Sequence, residues 1–201
     1  MKKVKQLFAA LVLVAFSQAV FAQASVSVGL KAGLNVANVN TTSVGAAFNS
    51  RTGYHAGAFV SVKLTKIAVQ PEVIFSQQGT TVNVSGTNIE SNFNYINIPV
   101  MLKFYLISGL NLQAGPQFGF LTSATGADPT GVATGTVDIK SYLKSTDVSI
   151  GLGAGFDIKS LCIDARYNIG VTEINDAAGT SATKNQVFQL SLGYKLFKLG
   201  K

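Results

Sequence analysis

Val148-Ser149-Ile150-Gly151-Leu152-Gly153-Ala154-Gly155-Phe156-Asp157-Ile158 is the stretch that decides the fold. Val148, Ile150, Leu152, Ala154, Phe156 and Ile158 fall on one side of a period-two pattern, and Ser149, the glycines and Asp157 fall on the other. Strict alternation of this kind reads as a strand with one apolar face. The polar face is the unusual half. Glycine suits a water-exposed strand surface poorly, but it suits a narrow barrel interior in which larger neighbours need room. The bulky side chains all sit opposite, where lipid can accept them.

The same rhythm recurs on either side of this stretch. Segments 26–36, 54–64, 161–171 and 188–196 alternate in the same way, with Lys31, Lys63 and Arg166 on the glycine-bearing faces. Three noisier segments, 67–78, 93–106 and 110–122, each carry a proline: Pro71, Pro99 and Pro116. Proline cannot donate to a ladder, so bulges or local unpairing are expected across these three neighbours. Tight turns are expected at Thr65-Lys66, Ser108-Gly109 and Lys159-Ser160, and longer polar loops at 38–53, 79–92, 123–146 and 172–185. Short turns on one rim and long loops on the other describe an up-and-down outer-membrane barrel with both termini on the periplasmic side.

Composition points the same way. Only 12% of residues are charged, against about 25% in an ordinary soluble protein. The chain is apolar, yet beyond its N-terminal segment it has no uninterrupted apolar run of about 18 residues that would span a bilayer as a helix. A closed barrel satisfies every backbone group between strands instead. The predicted fold class is all-β: an eight-stranded antiparallel up-and-down transmembrane β-barrel in the outer membrane, with outer membrane lipid as its first partner.

The N-terminus fits that destination. Lys2, Lys3 and Lys5 precede the apolar run Leu7 to Phe16, and Val20-Phe21-Ala22 supplies a small-residue cleavage pattern. Residues 1–22 therefore read as a signal peptide, with cleavage after Ala22 or, through Ala22-Gln23-Ala24, after Ala24; residues 23–201 form the barrel domain. Without the three leader lysines the chain keeps 13 basic and 9 acidic side chains, a net charge of +4. The high isoelectric point is partly a property of the leader, so no nucleic-acid partner follows from it.

Charges constrain the faces further. A lysine or arginine on lipid at mid-membrane costs roughly 2–4 kcal/mol. Lys31, Lys63, Lys103 and Arg166 must face inward or lie near a rim. Glu72 and Asp164 share the inward parity and are expected partners for Lys31, Lys103 and Arg166. These five form a lumen charge cluster, read as structural because a narrow interior must neutralise its charges.

Catalytic, cofactor and metal sets are not expected. His55 is the single histidine, placed at the loop-side end of its strand, and spacing supplies no serine or aspartate to complete a catalytic group. Cys162 excludes an internal disulfide and reads as an inert thiol. Outward aromatics such as Phe75, Phe118, Phe120, Tyr167 and Tyr194 read as an interfacial girdle. Gly151, Gly153 and Gly155 make no phosphate cradle, because no helix follows them. Loop 123–146, with Asp128, Pro129, Asp138, Lys140, Lys144 and Asp147, is the longest place for recognition. The expected function is a structural or surface-interaction role through these loops and an extracellular or envelope partner. A narrow solute channel or a secretion accessory is the alternative, and a lipid-acting enzyme comes last.

Several stretches together resemble the PorT-type outer-membrane β-barrel family of Bacteroidetes, part of the wider porin family. They are Gly53-Tyr54-His55-Ala56-Gly57, Val69-Gln70-Pro71-Glu72, Ile96-Asn97-Ile98-Pro99-Val100-Met101-Leu102-Lys103, Leu112-Gln113-Ala114-Gly115-Pro116, Asp164-Ala165-Arg166-Tyr167-Asn168 and Phe188-Gln189-Leu190-Ser191-Leu192-Gly193-Tyr194-Lys195. The resemblance implies the barrel fold and, through the family's namesake, a link to protein secretion and gliding. One departure is that Phe197 is followed by Lys198-Leu199-Gly200-Lys201, whereas such barrels commonly end on an aromatic residue read by the barrel-insertion machinery.

Overall fold

The computed structural model describes residues 24–41, 48–84, 87–127, 136–173 and 183–200. The expected signal peptide and the centres of the long loops, Asp128 and Pro129 among them, lie outside the described residues. Among the described residues there are nine strands: β1 (Ala24–Thr41), β2 (Phe48–Leu64), β3 (Ile67–Val84), β4 (Thr87–Tyr105), β5 (Leu110–Ala127), β6 (Thr136–Asp138), β7 (Thr146–Ile158), β8 (Leu161–Gly170) and β9 (Thr183–Leu199). Eight of them close an antiparallel barrel in chain order, with β9 returning to β1. The ninth, β6, is a three-residue strand that extends the pairing of β5 beyond the start of β7.

The alternation sorts the side chains as its chemistry demands. Leu30, Leu34, Leu152 and Leu192 point outward and are about half exposed, whereas Lys31, Asn35, Ser149 and Ser191 on the same strands are buried in the lumen. The outer surface has three zones. Tyr54, Phe75, Phe118, Phe120, Tyr167 and Phe188 ring the barrel toward the loops, and Phe104, Phe156, Tyr194 and Phe197 ring it toward the turns. Between them the outward positions are alanine, valine, leucine, isoleucine or proline. An aliphatic band flanked by two aromatic girdles is the surface a bilayer selects.

Above the loop-side girdle the ladders continue, which corrects the expected loops. Segment 79–92 is mostly strand, paired from Gly79↔Asn92 to Val84↔Thr87, and the segments at 38–53 and 123–146 also contribute strand at their ends. Outward positions there turn polar, as at Gln77, Asn94 and Thr122. Once water bathes the outer face the outward apolar residues disappear, although the hydrogen-bonded ladder does not. A strand of 18 residues, rising about 3.3 Å per residue at a tilt near 40°, climbs roughly 45 Å against an apolar band about 25 Å tall. The wall is uneven, because β7 and β8 have only 13 and 10 residues.

The prolines act by local unpairing. Pairing lapses between β2 and β3 at Pro71, between β3 and β4 at Pro99, and between β4 and β5 at Pro116, with register unchanged across each gap. Each ring nitrogen lacks the donor that its neighbour would accept. Register shifts occur elsewhere: between Ser50 and His55, between Asn94 and Tyr95, and between Val28 and Gly29.

Candidate functional site

The lumen holds the chemistry. Lys31 on β1 lies 3.1 Å from Glu72 on β3 and 3.0 Å from Asp164 on β8. Lys103 on β4 approaches the other Asp164 oxygen at 3.2 Å. Arg166 on β8 donates to both Glu72 oxygens, at 2.9 and 3.2 Å, a forked geometry that arginine offers and lysine does not. Gln70 donates to Glu72 at 2.8 Å, Gln113 donates to Asp164 at 2.9 Å, and Arg166 donates to Gln113 at 3.0 Å. All five charged residues are at most 3% exposed. Side chains from five strands thus meet across the interior and fill it.

Glycines on the intervening strands let them meet. Lys31 is flanked by Gly57 on β2 and Gly193 on β9, so its side chain passes over both neighbours to carboxylates one strand further away. Arg166 and Gln113 flank Gly153, and Asp164 and Asn111 flank Gly155. A Cβ on Gly155 would collide with the Asp164 carboxylate and stand 3.0 Å from the Asn111 side-chain oxygen. Gly155→Val is therefore expected to overpack the lumen and cost about 1–3 kcal/mol. It should lower the urea midpoint of the detergent-folded protein, while outward Ala154→Val leaves it in place; an unchanged Gly155→Val midpoint would contradict a filled interior.

A second network lies beside the first. His55 sits near the middle of β2, not at its loop-side end, because the strand begins earlier, at Phe48. Its Nδ1 is 2.7 Å from Asn35 Oδ1 and its Nε2 is 2.8 Å from Ser191 Oγ. Asn35 is fixed by donating Nδ2–H to the carbonyls of Tyr54 and Gln77. Its Oδ1 is then an acceptor, so His55 Nδ1 carries the proton and Nε2 accepts from the Ser191 hydroxyl. The order asparagine–histidine–serine is that of a nucleophile relay, which sequence spacing missed. Its setting is the packed interior of the barrel. Ser191 is 5% exposed and faces the packed interior, and it takes part in the ladders opposite Gly33 and Asp164. Gly33 separates His55 from Ser191, and its missing side chain opens the path between them.

Toward the loops the lumen wall of β4 and β5 carries apolar groups. Phe93, Tyr95, Leu121 and Ala124 turn inward and cluster, and Ile139 and Leu143 pack on them. The segment carrying those two residues runs along β5, held by Ile139 N–H to Ala124 O and Leu121 N–H to Ser145 O. Cys162 is buried and free at the turn end. Among the described residues no helix is long and apolar enough to cross a membrane, a test that does not concern strands, and no metal-ligating cluster is found.

Residues 21–176 match the family model described as Outer membrane protein beta-barrel domain. Among solved structures, Neisserial surface protein A is similar at TM-score 0.57 and 11% identity, covering 85% of this chain and 99% of its own. Ail, the attachment invasion locus protein of Yersinia pestis, is similar at TM-score 0.52 and 16% identity, covering 88% of this chain and 99% of its own. At these identities the likeness is one of fold. No curated protein matches the chain.

Proposed function

The chain belongs to the outer membrane protein beta-barrel domain family, and from that premise we propose that it is a non-conducting, non-enzymatic barrel that carries an interaction rim at the cell surface. The observation that carries this reading is the filled lumen: ionised side chains from β1, β3, β4 and β8 are buried against one another across it. A continuous water path would expose them. The apolar cluster around Tyr95 and Leu121 adds buried bulk inside the barrel toward the loops. With the tight turns assigned to the periplasm, the ladders above the girdle form an extracellular wall, and its loops are the binding element. The five lumen charges serve as the internal brace of that platform. Export through a cleaved leader and insertion by the barrel-assembly machinery complete the route.

Planar bilayers containing the purified protein are expected to show no steady unitary conductance, and liposomes carrying it should not swell with small sugars. A large, stable conductance would contradict the reading. The PorT-like motifs support placing the chain in that group, with accessory service to protein secretion as a second reading; normal secretion in a deletion strain would remove it.

A further inference from the structure

The tight-turn mouth of the barrel contains a cavity of about 410 Å³ that neither the brace nor the loop rim explains. Lys63, Lys159, Lys195 and Lys198 line it, and among the described residues Asp157 is the single acidic one in its wall. Asp157 is already committed: Lys195 pairs with it at 2.7 Å and the Tyr105 hydroxyl donates to it at 2.9 Å. Lys63 stands 3.6 Å over the Tyr105 ring, a contact that positions the ammonium without neutralising it. Among the described residues Lys63, Lys159 and Lys198 make no ion pair. Ser25, Ser27 and Ser61 also line the cavity and are only 4–6% exposed, so hydroxyl donors sit deep in a recess whose mouth is cationic.

We propose that this recess is a binding site for a phosphate group. Three uncompensated ammonium groups call for more than one negative charge, and several hydroxyls call for more than two acceptor oxygens. A phosphomonoester meets both demands, whereas a carboxylate brings one charge and two oxygens. Lysine binds phosphate as a point charge from any direction, which suits a ligand held by side chains from several strands. Partial enclosure weakens the screening that makes exposed charge pairs negligible. The Lys103–Asp164 pair lies further along the lumen and is fully buried, so the recess is blind and holds its ligand without passing it on. The phosphate can be a soluble anion or the phosphomonoester headgroup of a lipid at the same rim.

The test uses the full mature protein in nanodiscs, titrated with inorganic phosphate against chloride at fixed ionic strength and followed by amide shifts of Ser25, Ser27 and Ser61. In phosphatidylcholine discs, saturable shifts that weaken at least tenfold in Lys63→Gln/Lys198→Gln are expected for a soluble source. Shifts present without added phosphate in discs carrying phosphatidic acid, whose headgroup is a phosphomonoester, and lost in the same variant, would support the site and assign it to a lipid headgroup. Heat-modifiable gel mobility checks that the variant is folded, and single Lys198→Gln, at the exposed strand end, serves if the double variant is not. No saturable shift in either disc, or an undiminished response in the folded variant, would overturn the proposal.

Discussion

Glu72→Gln is expected to cost about 3–5 kcal/mol of folding stability, the usual penalty for removing one partner from a buried ion pair. Glu72 receives Lys31, both ends of the Arg166 fork and Gln70. The neutral amide keeps the volume but leaves three cations facing the single carboxylate of Asp164. Equilibrium unfolding in urea from detergent micelles would read the loss as a lowered midpoint. Charge is the cause only if restoring balance recovers stability, so Glu72→Gln/Arg166→Gln should lose less than the two single changes together. Additive losses would mean that the five residues merely share a lumen without acting as one network.

Leu152→Arg is the second large effect. Leu152 lies mid-strand in β7, is about half exposed, and has Tyr167 and Ala114 as cross-strand neighbours. On a water-soluble barrel a change at so exposed a position would stay within about 0.5 kcal/mol. On a bilayer-facing wall it costs roughly 2–4 kcal/mol at the midplane and little near the interfaces. The same substitution at Thr122, above the loop-side girdle, should therefore be nearly neutral. The contrast in unfolding free energy, measured in lipid vesicles, reads out the medium around the barrel. Equal effects at the two positions would remove the membrane from the account.

The barrel was legible because one periodicity controls both faces. On β1, β7, β8 and β9 large apolar residues point out and small or polar ones point in, so alternation shows parity without ambiguity. On β3 and β4 the reading is noisier for a physical reason: Ile74, Phe93, Tyr95 and Met101 are buried in the lumen, so both faces carry bulk and the contrast weakens. Parity also places Lys31, Glu72, Lys103, Asp164 and Arg166 on one side of the wall, but their distances depend on register and closure, which no local pattern carries. The Asn35–His55–Ser191 chain shows the limit most clearly. Ser191 is 136 residues from His55, and only the return of β9 to β1 brings it opposite Gly33. The glycines were readable as lumen-facing, whereas their part as gaps between interacting neighbours needed the pairing. Strand extension above the membrane left only scattered apolar residues, such as Val82, Val84 and Ile89, so those segments read as loops.

The most direct measurement exploits the absence of tryptophan from the chain. A single Leu152→Trp reporter, reconstituted in vesicles whose acyl chains are brominated near the bilayer centre, is predicted to emit in the blue, to be quenched by the bromines and to ignore aqueous iodide. Red-shifted emission that iodide quenches and bromolipid does not would contradict the claim that hydrocarbon bathes the outer wall.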